Sequence, residues 1–250
     1  MQRFFVSPGA FQGTQVVLRG DVAHQISAVL RMRAGDTIVV LDDSGWEFEV
    51  RLTQVGRTEA SGEILERRPA SAEPRIRLTL FQSLLKRDNL EWVLQKCTEI
   101  GVAAFVPVIS QRTIVSHPQG VSGSKIQRWR RIVVEAAEQS RRGRLPVVHP
   151  VVRFEQAVAG MGGFDLSLIP WEEEKDAGLR ATLVAAKEEQ RGPLSVALFV
   201  GPEGGFAGDE VALAKAHGAR PVTLGPRILR AETAAVVAVS VILYECGELE

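Results

Sequence analysis

The sequence predicts an α/β protein, a largely parallel sheet covered by helices and preceded by a small β-barrel. Residues 1 to about 68 hold short strand-like runs at close spacing, the pattern of a small closed barrel. From residue 76 onward, strand-length apolar runs alternate with segments of helical period, the pattern of βα units. Between the two regions, Arg67-Arg68-Pro69-Ala70-Ser71-Ala72-Glu73-Pro74 breaks both patterns with two prolines and small residues. The expected domains are therefore 1–70 and 74–250.

In the first region the strands are Arg3–Val6, Gln15–Leu18, Thr37–Leu41, Glu47–Val55 and Ser61–Leu65. Asp42-Asp43-Ser44-Gly45 is a hairpin turn. One helix interrupts them, with Asp21 as N-cap, Ala23, Ile26, Val29 and Leu30 on its inner face, and Gly35 beyond its end. In the second region, strand Ile76–Gln82 precedes helix Asn89–Ile100, whose Leu90, Val93, Leu94, Cys97 and Ile100 share a face before Gly101 stops it. Strand Ala103–Ile109 precedes helix Lys125–Ser140, with Ile126, Trp129, Val133 and Ala137 inward. Strands Phe164–Ile169 and Leu194–Val200 flank helix Ala177–Lys187, and helices Asp209–His217 and Thr233–Cys246 follow. The last helix is apolar nearly all round, so it is deep in the core or covered by a second subunit.

Composition narrows the function. Formal net charge is zero over 250 residues, so any nucleic-acid signal has to be local. The longest apolar run, Ala234–Tyr244, is too short to span a bilayer. The N-terminus has no secretion-signal pattern, and a cytoplasmic location is expected. Cys97 and Cys246 cannot build a disulfide framework. No His or Cys cluster has zinc spacing, so no metal is expected. His24, His117, His149 and His217 are scattered and define no triad.

Three places stand out. Gly201-Pro202-Glu203-Gly204-Gly205-Phe206 and Leu224-Gly225-Pro226-Arg227-Ile228-Leu229-Arg230-Ala231-Glu232-Thr233 each follow a strand and lead into a helix. Glycine-rich turns of this kind let backbone N–H groups approach a ligand. Two in one α/β unit point to a pocket built mostly from backbone. Neither is a P-loop or a dinucleotide fingerprint. Next, Lys125 to Arg144 carries seven basic residues against Glu135 and Glu138. A solvated helix face explains part of that excess, but Arg141, Arg142 and Arg144 after a helix end suit phosphate contacts better. Finally, Leu168-Ile169-Pro170-Trp171-Glu172-Glu173-Glu174 leaves a strand at its C-terminal end, where ligands sit in open α/β sheets. Trp171 there either stacks on a base or covers the core.

Val200–Phe206 (VGPEGGF) and Leu224–Ala234 (LGPRILRAETA) resemble the bacterial ribosomal small-subunit methyltransferase E (RsmE) family of the SPOUT superfamily. Arg3-Phe4-Phe5, His24 with Val29–Arg33 and Gly35-Asp36, Leu94–Lys96 with Glu99–Val102, and Glu138–Ser140 with Arg142, Arg144 and Pro146 add to the resemblance. It covers essentially the whole chain. It implies a PUA-like β-barrel for RNA binding and a SPOUT-type trefoil-knotted parallel-sheet domain. It also implies a homodimer, S-adenosyl-L-methionine as cofactor, and methylation of uridine N3 in 16S ribosomal RNA of the small subunit. Carried onto this chain, Leu168, Ile169, Pro170, Val200, Gly201, Pro202, Glu203, Gly204, Leu224, Gly225, Ile228 and Leu229 hold the cofactor. Arg230 and Glu232 are catalytic, and Arg31, Arg33, Arg141, Arg142 and Arg144 bind RNA. The chain departs from the family at Ala207-Gly208-Asp209, where a serine-like cap is usual and Gly208 or Asp209 is expected to cap instead. It departs again at Ile169-Pro170-Trp171. The alternatives are another SPOUT RNA methyltransferase with a tRNA or large-subunit target, or a non-catalytic RNA-binding assembly protein.

Overall fold

Close backbone neighbours in the computed structural model, which describes residues 1–189 and 192–249, fall into two units. One comprises Met1–Glu73 with Ala137–Leu145, and the other Pro74–Ala136 with Pro146–Glu250.

The first unit is built on six strands: β1 (Arg3–Phe5), β2 (Phe11–Gln12), β3 (Gln15–Arg19), β4 (Thr37–Leu41), β5 (Trp46–Val55) and β6 (Glu59–Pro69). Their order is β1-β4-β5-β6-β3-β2, and only the β1–β4 pair is parallel. Alternation along the strands turns Phe4, Val16, Leu18, Ile38, Val40, Val50 and Leu52 into one core. Register shifts after Glu49 and Leu52 bend the long β5–β6 ribbon over that core. β6 runs further than the sequence predicts: Arg67, Arg68 and Pro69 pair with β5 instead of forming a linker.

The expected helix is shorter and irregular. α1 (Asp21–His24) passes into a π-type turn, Gln25–Val29, and Gly20 rather than Asp21 occupies the N-cap position. The wider turn rotates later residues off the inner face, so Ile26 is buried while Val29 is 64% exposed.

Residues 137–145 join this unit through hydrogen bonds. Glu138 Oε1 accepts from Phe5 N at 2.9 Å, and Asp43 Oδ1 accepts from Leu145 N at 2.6 Å. Glu73 accepts from the Arg142 guanidinium and from the amides of Gly143 and Arg144.

The second unit is an all-parallel sheet of β7 (Arg77–Ser83), β8 (Ala104–Ile109), β9 (Val147–Val148), β10 (Val152–Arg153), β11 (Leu166–Pro170), β12 (Ser195–Val200) and β13 (Arg220–Val222). The order is β10-β8-β7-β12-β11-β13, with β9 also paired to β8. Both faces are apolar, as a parallel sheet requires. Leu78, Leu80, Val196, Leu198, Leu166 and Leu168 join one core, while Phe81, Phe199, Ala197 and Ile169 join the other.

The first core is shared with α2 (Asn89–Ile100), α3 (Gly123–Gln139), α5 (Leu179–Glu189) and α7 (Ala231–Glu245). The second is shared with α4 (Phe154–Ala159) and α6 (Gly208–Ala216). α4 is absent from the sequence reading, because six residues are too few to display a helical period. α7 buries Ala235, Ala238, Val239, Ile242 and Leu243 in the core, whereas Val236, Val237 and Val241 are half-buried. Among the described residues no helix is long and apolar enough to cross a membrane.

Candidate active site

Strands β12, β11 and β13 lie side by side, and their C-terminal ends open on one cleft. Pro170 and Trp171 line it from β11, Val200–Glu203 with Gly205 and Phe206 from β12, and Thr223–Leu229 with Ala231 and Ala234 from β13 and the start of α7. A crevice beyond the carboxyl ends of parallel strands is where open α/β sheets bind ligands.

The loop after β12 is clamped from several sides. At Gly201 an added Cβ would stand 3.2 Å from the main chain of Gly205 and Phe206, so a larger residue there would have to push the loop open by a few tenths of an ångström. Gln82, buried at the end of β7, donates from Nε2 to the carbonyls of Val200 and Gly201 at 3.4 Å. Its Oε1 is buried without a partner among the described residues. Glu203 Oε1 accepts from Lys86 N at 2.8 Å, and Arg112 Nη1 donates to the Gly204 carbonyl at 2.6 Å.

Glu210, 3% exposed, fixes the exit of the loop by accepting from Ala207 N at 2.9 Å and Gln111 N at 2.8 Å. The cap of α6 is therefore neither Gly208 nor Asp209. Ala207 holds the N-cap position, and the Glu210 carboxylate reaches back to it, as the acidic half of a capping box does. Asp209 instead accepts from the Gln111 amide at 2.6 Å, a bond that holds its carboxyl below the usual range.

The loop after β13 is held more sparsely. Thr223 Oγ1 accepts from Gly225 N at 3.2 Å, and Gly225 sits at φ 102, a backbone state that disfavours side chains. Ile228 is 88% exposed. Arg230 is the N-cap residue of α7, and Glu232 lies in its first turn, where a carboxylate faces unsatisfied backbone N–H groups.

The structure thus brings Pro170, Val200, Gly201, Pro202, Glu203, Leu224, Gly225, Ile228 and Leu229 to one cleft. Leu168 and Ile169 are fully buried inside the sheet, and what β11 offers the cleft is its last residue, Pro170. Gly204 turns outward to Arg112. Arg230 and Glu232 flank the wall formed by Leu229 and Ala231 rather than lining it. Trp171 lines the cleft and also packs on the second core.

Arg31, Arg33, Arg141 and Arg144 are exposed. Arg142 is not available for RNA: it is 3% exposed and paired with Glu73 at 2.9 Å, an ion pair that anchors the 137–145 segment. Arg144 divides its donors, with Nη2 on the Ser44 carbonyl at 2.8 Å.

Gln82, Arg112 and Glu210 hold the first loop, and the sequence reading missed them. Only Glu210 left a signal, an acidic residue three positions after the helix start.

Residues 72–243 match the family described as RNA methyltransferase domain. The chain is 34% identical to Ribosomal RNA small subunit methyltransferase E of Bacillus subtilis, covering 98% of this chain and 97% of that one. It is 36% identical to the protein of the same name from Synechocystis, covering 95% and 76%. Among solved structures, Ribosomal RNA small subunit methyltransferase E from Neisseria gonorrhoeae bound to S-adenosyl methionine superposes with a TM-score of 0.85 at 32% identity, over 98% of this chain and 97% of that one. A chain that aligns over nearly its whole length with these proteins and gathers both glycine loops into one cleft belongs to the ribosomal RNA small subunit methyltransferase E family of RNA methyltransferases.

Proposed function

We propose that this protein transfers the methyl group of S-adenosyl-L-methionine to N3 of a uridine in 16S ribosomal RNA of the small subunit. The observation that carries the reading is the cleft at the ends of β11, β12 and β13, walled by both glycine loops. The cofactor fits this wall. A Cβ at Gly201 would press on Gly205 and Phe206 at 3.2 Å, so glycine suits this turn and leaves main-chain N–H and C=O groups to meet a ligand. Leu224, Ile228, Leu229 and Pro170 supply an apolar slot for an adenine ring. When bound, the cofactor supplies a methyl on a sulfonium centre.

The chain's own residues do the rest. The two loops fix the reacting partners in line, which removes much of the entropic barrier. Glu232 accepts the N3 proton of uridine, and Arg230 donates to the uracil oxygens on which charge develops. Both sit at the N-terminus of α7, whose dipole favours negative charge. Arg31, Arg33 and Arg141 contact the RNA backbone.

The same reading includes a PUA-like barrel in the first unit, a trefoil-knotted SPOUT-type sheet domain in the second, and a homodimer. The placement of β12 between β7 and β11 supports the knotted topology, and the half-buried valines of α7 support the dimer.

The test is to incubate the protein with methyl-labelled S-adenosyl-L-methionine and small ribosomal subunits from a strain lacking the activity, then digest the RNA. Labelled 3-methyluridine is expected. A different methylated nucleoside would overturn the target, and no label in any RNA would overturn the activity.

A further inference from the structure

Gln82 stands near the end of β7 at 1% exposure, in a place where an apolar side chain of equal length would bury no polar atom. Its Nε2 reaches three carbonyls, that of Ser83 at 3.1 Å and those of Val200 and Gly201 at 3.4 Å. Its Oε1 is buried and meets no donor among the described residues, which destabilises the fold. Reversing the amide is no remedy, because it would set Oε1 against the same three carbonyls. Two long bonds to the loop and one orphaned oxygen do not account for a glutamine on grounds of stability.

The neighbouring strands show what the amide does. β12 stays paired with β7 to its end, with Val200 beside Gln82. β11 leaves β12 after Leu168, and its Ile169 and Pro170 follow β13 instead. The two strands therefore splay at their C-terminal ends. Their gap opens into the cleft, with Val200 and Gly201 on one side and Pro170 and Trp171 on the other. The Val200–Gly201 peptide is trans, so its C=O and N–H point in opposite directions. Drawing the Val200 carbonyl to Gln82 turns the Gly201 N–H away from β7, toward the gap that β11 has left. Gly201 N has no hydrogen-bond partner among the described residues. Pro202, next along, offers no N–H.

We infer that Gln82 is a positioning residue for the cofactor: by holding the Val200 and Gly201 carbonyls, it aims the Gly201 N–H at an acceptor of the adenosine half of S-adenosyl-L-methionine. That half carries ring-nitrogen and ribose-oxygen acceptors, and Pro170, across the gap, belongs to the apolar slot that takes the base. Gln82 stands behind the wall and touches no ligand. A donor aimed in advance spares the ligand the cost of reorienting a peptide. The inference rests on the cofactor of the functional reading, not on its RNA target.

The first measurement is amide hydrogen exchange at Gly201 in the wild-type chain. The N–H is expected to exchange freely without ligand. It is expected to be protected by S-adenosyl-L-methionine, and also by 5′-methylthioadenosine, which lacks the amino-acid end. Gln82→Met keeps the length of the side chain and removes the amide. It is expected to raise the calorimetric Kd for the cofactor about ten-fold, the worth of one well-placed hydrogen bond, while the urea midpoint holds. At saturating cofactor Gly201 is expected to stay unprotected in this variant.

A Gly201 amide already protected without ligand, or unprotected with cofactor bound, would overturn the inference on the wild-type chain alone, whether or not the variant folds. Protection by S-adenosyl-L-methionine but not by 5′-methylthioadenosine would overturn the adenosine assignment. Affinity and urea midpoint falling together, with Gly201 still protected in the variant, would make Gln82 a brace of the fold and not a positioning residue. Wild-type protein that binds the cofactor but labels no RNA would remove the target of the functional reading and leave the exchange result to decide Gln82. Wild-type protein that binds no S-adenosyl-L-methionine would remove that reading and this inference together.

Discussion

The two glycine loops share one cleft but are held in different ways. Gly201–Phe206 is fastened by groups from outside itself: the Gln82 amide, the Lys86 main chain, the Arg112 guanidinium and the Glu210 carboxylate. Leu224–Arg230 is braced mainly by Thr223 and by the helix it opens, and it leaves Ile228 in solvent. A loop with many outside anchors is set before ligand arrives, and its affinity does not have to offset ordering. A loop with few anchors belongs to the low-stability end of a fold, where ligand contacts do the ordering. The first loop therefore acts as the fixed half of the site. The second carries the adaptable half together with Arg230 and Glu232, the residues proposed for the reaction.

The largest effects should separate these roles. Glu232→Gln keeps the shape of the second loop but removes the proposed base, so turnover should fall by about 100-fold or more. Cofactor affinity should be retained, and stability should change by no more than about 1 kcal/mol, the worth of a carboxylate at a helix N-terminus. Single-turnover methylation and calorimetric cofactor titration measure the two halves. Normal turnover would take the base role away from Glu232.

Glu210→Ala attacks the fixed half instead. It strands two amides, the buried Ala207 N and the part-buried Gln111 N, and should cost about 2–3 kcal/mol in urea unfolding. Cofactor binding should weaken with it. An unchanged unfolding midpoint would mean that water satisfies both amides and that the loop is not clamped there.

The sequence made both loops legible, but not the groups that fasten the first. Both loops are visible because glycine and proline punctuate the chain where backbone must turn or approach closely. The alternating strands of the sheet domain are visible because burial on both faces demands continuous apolar runs. What fastens the first loop is invisible, because Gln82, Arg112 and Glu210 come from β7, the segment after β8 and α6, and meet only once the sheet has formed. The same blindness affects Arg142. In sequence it is one of three arginines on a basic loop, yet Glu73, 69 positions away, buries it. The misplaced Val29 has a local cause, since one π-type turn shifts a helical pattern without changing composition.

Two glycine substitutions sharpen the contrast at intermediate size. Gly201→Ala meets main chain at 3.2 Å, which cannot give way as a side-chain tip could. Gly225→Ala has open space around it and suffers only from φ 102, a cost of about 1–2 kcal/mol. Gly201→Ala should therefore lose cofactor affinity more steeply than Gly225→Ala at equal or greater loss of stability. Equal affinity losses would argue that both loops are ordered by the ligand.

The smallest effect is a pH dependence confined to the clamp. The Gln111 side chain donates to Asp209 at 2.6 Å and depresses its pKa in the folded state. A carboxylate with a depressed folded pKa contributes stability above its unfolded value, about 3.9, and loses it as pH falls through the folded value. Gln111→Ala removes the main cause of the depression while leaving the backbone bond of Gln111 to Glu210 in place. Urea midpoints of wild type and variant should differ slightly at pH 6, converge as pH drops below about 4, and coincide once Asp209 is protonated. A gap that persists unchanged into acid would show that Gln111 braces the loop by packing rather than through the Asp209 charge. The clamp would then rest on the bonds from Gln82, Lys86, Arg112 and Glu210, with no share from the Asp209 charge.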